Sequence, residues 1–219
     1  MQSNQDGIPI CIQAHASMNR LRTLALLVFL TVGSVPVLAA PQALPLDPKG
    51  SSLTFVGDAT LHSFHGEARE FTGNATLDPE AKPPVQKATL RFKTAALTTF
   101  NDKRDQNMRD WLKVEVHPDV TFTLESVKLL EGDIQKADAP HPAKFTVNGT
   151  FVLNGAKQPF GGAALGWREK DRLVVTGDAI IDTLQFGVPQ IRQALLTVAT
   201  KVKTSYRFSF ILPPAYTLK

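Results

Sequence analysis

Apolar and polar residues alternate along most of the chain after residue 50, and this pattern sets the fold class. In the first such segment, Leu53, Phe55 and Gly57 fall on one face, while Thr54 and Asp58 fall on the other. Successive side chains of a β-strand point to opposite faces, so each alternating segment predicts a strand. The segments are 53–61, 71–78, 88–93, 120–125, 145–153, 160–167, 175–182 and 198–212.

Strands with one apolar and one polar face are typical of antiparallel sheets. Eight of them within about 170 residues favour a closed β-barrel or a sandwich. Asn154-Gly155 directly follows one strand and predicts a hairpin. Residues 101–113 are rich in charge and carry Met108, Trp111 and Leu112. They predict one helix that caps the barrel end, so we expect an all-β, eight-stranded antiparallel barrel with one short capping helix.

The first forty residues differ from the rest. The basic stretch 19–22 precedes an apolar run at 24–30, and Ala39-Ala40 ends the segment. This order is typical of a secretory signal peptide, with Met18 as the initiator and cleavage after Ala39 or Ala40. An uncleaved anchor is the alternative. We therefore expect a presequence at 1–40, an extended linker at 41–50, a barrel domain at 51–213 and a tail at 214–219. The mature protein would be periplasmic or secreted.

Charge and cysteine content exclude two classes of function. The formal net charge is +4, and the basic residues are scattered rather than concentrated on one segment. A nucleic-acid-binding face needs a concentrated basic patch, so no nucleic-acid partner is expected. The single cysteine, Cys11, lies in the presequence. The mature domain would have neither a disulfide nor thiol chemistry.

Small residues occupy the middle of the inward face of four strands, with larger apolar residues on either side. Gly57, Gly73, Gly149 and Gly177 hold these positions. An eight-stranded barrel is just wide enough to fill itself with side chains or to hold one small ligand. Small side chains at mid-height favour a cavity, although glycines also serve strand bending in barrels. Such a cavity would be apolar and long, and would suit an elongated apolar ligand.

The inward positions of the predicted strands give the expected cavity lining. These residues are Phe55, Gly57, Leu61, Phe71, Gly73, Leu90, Phe92, Phe122, Phe145, Gly149, Phe151, Val175, Gly177, Ile181, Tyr206 and Phe208.

Six short motifs occur in order along the predicted domain. They are Ser51–Phe55, Asn101–Asp105 with Trp111-Leu112, His117–Phe122, Asn148–Gly155 with Lys157–Pro159, Thr176–Ala179 and Phe186–Val188. Their residues, order and spacing resemble the YceI-like family, and the resemblance covers nearly the whole predicted domain, from about Leu46 to Leu212.

The resemblance implies a lipocalin-like antiparallel barrel in a secreted, often periplasmic, protein. It also implies a long polyisoprenoid or quinone-type lipid as the ligand and no catalytic residues common to the family. Slow release of such a lipid predicts transient contact with a membrane or membrane protein that triggers unloading, and no cofactor is expected. Residues 60–66 depart from the family pattern, because Thr60-Leu61-His62-Ser63-Phe64-His65-Gly66 replaces a more hydrophobic stretch.

The polar candidates lie near the predicted ends of the barrel. His62 and His65 form an H-x-x-H pair, and we interpret both as residues of the cavity mouth rather than metal ligands. Arg104 can pair with a phosphate or quinone head group, because a guanidinium suits such acceptors. The other charges of 102–110 predict a solvated salt-bridge network over the barrel end.

Three functional classes follow from these patterns. The leading hypothesis is a carrier or storage protein for a long apolar isoprenoid lipid in the cell envelope. The second is an enzyme that uses the mouth at His62 and His65. The third is an envelope interaction protein with a filled barrel and no ligand.

Overall fold

The computed structural model describes residues 40–193 and 195–214. The predictions of a signal peptide, a start at Met18 and a cysteine-containing presequence concern residues outside this part, apart from Ala40. Most of the predicted tail, 215–219, also lies outside it.

The described chain is mostly β-strand, with one α-helix and two short 3-10 turns at Thr94–Ala96 and Thr183–Phe186. The helix, α1, spans Asp102–Trp111. The strands are β1 Gln42–Pro45, β2 Ser52–Asp58, β3 Ser63–Ala68, β4 Thr72–Leu77, β5 Val85–Lys93, β6 Asp119–Glu131, β7 Ala143–Leu153, β8 Ala156–Glu169, β9 Arg172–Asp182, β10 Arg192–Gln193, β11 Leu196–Thr197 and β12 Lys201–Ile211.

Ten strands form one curled antiparallel sheet, in the order β1-β4-β5-β6-β7-β8-β9-β12-β2-β3. The chain just after β1 joins this edge of the sheet to β12, because Leu46 bridges Phe210 and the Asp47 N–H donates to the Ser209 carbonyl at 2.8 Å. A second bridge, between Glu67 and Thr98, joins β3 to the segment before α1. These links curl the sheet into a barrel. The predicted all-β antiparallel barrel with one helix is confirmed.

The number of strands in the sheet is ten rather than the expected eight. One addition is β1, which lies within the expected linker 41–50. Leu44 and Leu46 of this segment are buried in the core, although the prolines around them hide the alternation. The other addition is β3, whose inward residues Phe64, Gly66 and Ala68 are mostly small and give a weak apolar signal.

The barrel core follows the alternation of the strands. Buried side chains from β2, β4, β5, β6 and β12 pack in one apolar cluster. Phe71 lies at its centre, with the rings of Phe92 and Phe208 both 5.6 Å away in edge-to-face geometry. Aromatic pairs of this kind add stability beyond the area that they bury.

Helix α1 is fixed to the barrel by a buried carboxylate. The Asn101 side chain caps the helix by accepting from the Arg104 N–H. Asp105 is buried, and it accepts hydrogen bonds from the Thr98 hydroxyl at 2.8 Å, the Thr99 N–H at 2.7 Å and the Thr99 hydroxyl. The expected solvated salt-bridge network is therefore wrong for Asp105, which is held by threonines of the preceding segment.

These contacts set the ionisation of Asp105. Burial alone would raise the pKa of the carboxyl group, but hydrogen bonds from Thr99 and Thr98 and the charge of Arg109 outweigh it, so the pKa is lowered. A lowered pKa in the folded state means that the carboxylate contributes stability above its unfolded pKa, and that this contribution is lost as the pH falls through the folded pKa.

No helix among residues 40–193 and 195–214 is both long enough and apolar enough to cross a bilayer.

We expect Asp105→Ala to lower the free energy of unfolding by about 2–4 kcal/mol at neutral pH, because it leaves the two buried donors of Thr99 and the partly buried Thr98 hydroxyl without their acceptor. Urea unfolding measures the change. Asp110→Ala on the exposed side of α1 is the control, with an expected change within about 0.5 kcal/mol. The difference between wild type and Asp105→Ala should shrink as the pH falls below about 4. A difference that grows in acid would contradict the assigned role of the carboxylate.

Candidate functional site: an apolar cavity inside the barrel

The barrel encloses a cavity of about 520 Å³. This volume lies within the range of about 300–1,000 Å³ that is usual for small-molecule sites. Most side chains that line the cavity are aliphatic or aromatic, and they come from the inward positions of the large sheet and from α1. The arrangement can hold an apolar molecule away from water.

Twelve of the sixteen residues expected to line the cavity do so. They are Phe55, Gly57, Phe71, Leu90, Phe92, Phe122, Phe145, Phe151, Val175, Ile181, Tyr206 and Phe208. Their inward orientation follows from strand periodicity alone.

Leu61 does not line the cavity, and 76 % of it is exposed. The alternation through residues 53–61 suggests one continuous strand, but β2 ends at Asp58. A tight turn follows, in which the Ala59 N–H donates to the His62 carbonyl at 2.9 Å. Beyond Asp58 the period of two therefore no longer determines where a side chain points.

The glycines Gly73, Gly149 and Gly177 also lie outside the cavity lining, for a different reason. A Cβ atom at Gly73 or Gly149 would collide with the backbone carbonyl of Thr89 or Thr123 on the neighbouring strand. Gly149 lies opposite Leu124, next to a bulge in β6. These two glycines therefore serve close strand approach and bending, the second role that the sequence left open.

Aromatic rings lie over the glycines Gly57, Gly66 and Gly177. Gly57 is directly opposite Phe64, Phe55 is opposite Gly66, and Gly177 is opposite Tyr206. In each pair the ring occupies the place where the glycine would carry a Cβ atom. The glycine therefore does not leave empty space, because the opposite ring covers its backbone instead of extending across the barrel.

The space at the waist adjoins alanines rather than bare glycines. Ala75 and Ala88 are paired on β4 and β5 and both line the cavity, as do Ala164 and Ala179. Their positions share the inward parity of their strands, so alternation could have identified them. Phe64, Phe160 and the α1 residues Met108 and Trp111 also line the cavity, outside the predicted set.

Tyr206 places a hydroxyl group in this apolar lining. Burial, together with the negative charge of Asp178, raises the pKa of Tyr206 to about 12. The phenol therefore stays protonated at neutral pH and keeps a hydrogen to donate. The ring of Phe208 stacks on the Tyr206 ring at 5.5 Å.

Polar side chains gather where α1 and the β2–β3 turn meet the cavity. Arg104 lines the cavity, and its guanidinium lies 4.9 Å from the centre of the Phe64 ring. Its Nε donates to the Thr99 hydroxyl and one Nη to the Thr99 carbonyl, both at 2.7 Å. Lys103 and Asn107 line the same end. These contacts fix the guanidinium at the edge of the apolar interior.

The two histidines of the H-x-x-H pair lie in different places. His62 lines the cavity, but His65 is an exposed residue of β3 and does not. The expectation that His65 lies at the mouth is wrong, because Phe64 takes the inward position beside it. Among the described residues, no group of three histidine, cysteine or acidic side chains is placed to hold a metal ion.

The fold and the cavity define a lipocalin-like β-barrel with an internal apolar chamber. The model of the YceI-like domain matches residues 45–210, and the chain belongs to this family. Two solved structures are similar in fold, each at 15% sequence identity. BcnA from Burkholderia cenocepacia has a TM-score of 0.61, with 75% of this chain and 98% of that chain covered. A polyisoprenoid-binding domain from Saccharophagus degradans has a TM-score of 0.58, with 78% and 98% covered. No curated protein matches the chain.

We expect Gly149→Ala to lower the free energy of unfolding by about 1–3 kcal/mol, because the new methyl group meets a backbone carbonyl that cannot turn aside. Gly162→Ala in the adjacent strand is the control. Its Cβ atom would meet only Phe160, at 4.0 Å. Its stability should be unchanged or up to about 1 kcal/mol higher. Equal losses in urea unfolding would contradict the steric role assigned to Gly149.

Proposed function

We propose that this protein binds a long, apolar, isoprenoid-type lipid inside the barrel and carries or stores it. The observation that carries the proposal is the cavity of about 520 Å³ with its aliphatic and aromatic lining. A polar or strongly charged ligand would lose its hydration there without regaining enough hydrogen bonds. A hydrocarbon chain loses nothing of this kind and gains from leaving water.

The energetics fit a carrier. Burial contributes about 0.8 kcal/mol per CH₂ group, so a chain of about 20 carbons would gain ~16 kcal/mol before ordering costs. Non-covalent binding has a practical ceiling of about 18–21 kcal/mol. Tight binding is therefore easy to obtain, while release is slow. A carrier of this kind needs a membrane or a partner protein that promotes unloading.

The comparison with the Saccharophagus degradans structure supports the ligand class, since that protein is described as a polyisoprenoid-binding domain. A polyprenyl or quinone-like chain has the length and apolar character that the cavity selects. The polar groups at the α1 end, Arg104 and His62, would then face the head group. We place the protein in the cell envelope on the signal-peptide pattern at 19–40, which lies almost wholly outside the described residues.

Transient membrane contact is supported by exposed leucines at one end of the barrel. Leu61 is 76 % exposed, and Leu195 is 88 % exposed in the segment before β11. The two loops lie side by side, because the Thr60 N–H donates to the Thr197 carbonyl at 3.0 Å. His62 of the cavity lining follows Leu61 directly. Large apolar side chains beside a cavity opening are suited to contact with lipid.

The proposal is tested by extracting the purified mature protein with organic solvent and analysing the extract by mass spectrometry. We expect a stoichiometric isoprenoid lipid from wild type. Ala88→Phe should reduce the lipid at least about fivefold, because the new ring enters the cavity where small side chains now leave room. Thr89→Phe is the matched control, since Thr89 is next along β5 but does not line the cavity. Lipid loading that is equal in both variants would contradict binding inside the barrel.

Membrane contact is tested with vesicles of anionic and neutral phospholipid. The double variant Leu61→Gln and Leu195→Gln should reduce the affinity for vesicles, measured by co-sedimentation, at least about tenfold, because full burial of each leucine is worth about 1.5–3 kcal/mol. Leu130→Gln is the control, a leucine of β6 that is 58 % exposed. An equal loss in the control would contradict contact through the two loops.

A further inference from the structure

The wall of the barrel has a slot between β8 and β9. The two strands pair from Leu165 and Thr176 to Glu169 and Arg172. Over the rest of their length, in the described chain, no ladder pairs them. Beyond the slot the strands are linked again through the turn after β9, because the Gln158 side chain donates to the Gln185 carbonyl at 2.7 Å. We call this opening, between Pro159–Gly161 and Ala179–Asp182, the β8–β9 slot.

The sequence of β8 explains why the slot is open. β8 stays paired with β7 from Ala156 to Gly166. Pro159 pairs with Thr150 in that ladder and has no N–H, so proline is tolerated only where the other strand edge is free. Gly161 and Gly162 follow, and glycine weakens a strand interior. The edge of β8 that faces β9 therefore lacks an N–H donor at Pro159. It also lacks side chains that could pack against β9 at Gly161 and Gly162.

The slot adjoins the central cavity. A small chamber of about 130 Å³ lies in it, and Phe151, Phe160, Ala179 and Ile181 line both this chamber and the central cavity. Phe160 is half-buried, and its ring centre lies 5.3 Å from that of Phe122 and 6.5 Å from that of Phe151. The Phe160 ring therefore lies between the small chamber and the central cavity, where it packs against the rings of Phe122 and Phe151.

The lip of the slot is mixed in character. Ile180 is 65 % exposed and Leu184 is 51 % exposed, which puts two large apolar side chains at the outer surface. The facing strand edges carry backbone N–H and C=O groups without a ladder partner, and Gln185 and Asp182 line the chamber. The slot is polar at the outside and aromatic at the inside. An amphiphile that enters tail first therefore brings its tail to the aromatic rings and leaves its polar end among the polar groups until last.

We propose that the β8–β9 slot is a side entrance to the cavity, through which a single-chain amphiphilic lipid enters tail first and leaves head first. This inference rests on the proposed lipid-binding function. The apolar tail passes the Phe160 ring into the central cavity first, and the polar end enters last. The rate of exchange is then set by the width of the slot and by movement of Phe160, whereas the affinity is set by the central cavity.

The test closes the slot with a covalent cross-link. Gly161→Cys and Ile180→Cys place two thiols on the outer faces of the slot, in a Cys11→Ser background, and a short bifunctional maleimide joins them. The probe is all-trans-retinol, a fluorescent isoprenoid alcohol, and stopped-flow fluorescence measures its uptake and its transfer to vesicles. We expect the cross-link to slow both rates at least about tenfold while Kd stays within about twofold, since both directions pass the same barrier.

The matched control is a cross-link between Leu165→Cys and Thr176→Cys, which are already paired on the same two strands. It should leave both rates unchanged. A further variant, Phe160→Ala, should speed both rates severalfold because it removes the ring between the two spaces. Saturable retinol binding with rates that the slot cross-link does not alter would overturn the side entrance while leaving the proposed function intact. The absence of saturable retinol binding to wild type would instead contradict the proposed function, and the entrance with it.

Discussion

The central cavity depends on the contact between an aromatic ring and a glycine on the opposite strand. Gly57 with Phe64, Gly66 with Phe55 and Gly177 with Tyr206 are pairs of this kind. Without a Cβ atom beneath it, a ring lies along the wall and covers the backbone of its neighbour. The same rings directed across the barrel would fill the interior. Ring orientation, together with the alanines at the waist, therefore keeps the chamber open.

The contact between ring and glycine also marks the limit of what could be predicted from the sequence. Period-two alternation fixes which side of a strand faces inward, so residues such as Phe122, Val175 and Ile181 could be placed in the lining. It does not show how far a strand continues, so it places Leu61 inside the barrel although β2 stops at Asp58. It also does not show what lies opposite a glycine. That depends on strand register, and the sequence alone does not give the register.

Helix α1 shows a similar limit for charged residues. Its position and its apolar residues Met108 and Trp111 follow from spacing and composition. The fate of Asp105 does not, because its partners Thr98 and Thr99 lie outside the helix and carry no charge pattern. Their hydrogen bonds pull the start of α1 against the barrel and hold Thr99 where it binds Arg104. One buried carboxylate thereby positions the guanidinium at the cavity edge.

A tightly held lipid could leave the proposed carrier at the α1 end or through the β8–β9 slot. The two routes differ in the contacts that must break. The α1 end is fixed by the bonds of Asp105 and Arg104, so opening it would break several hydrogen bonds at once. The β8–β9 slot already lacks its ladder bonds, so widening it costs mainly the contacts of the Phe160 ring. Local opening motions occur most readily in the least stable part of a fold. A lipid held in the central cavity is therefore expected to exchange through the slot, while the α1 end stays closed.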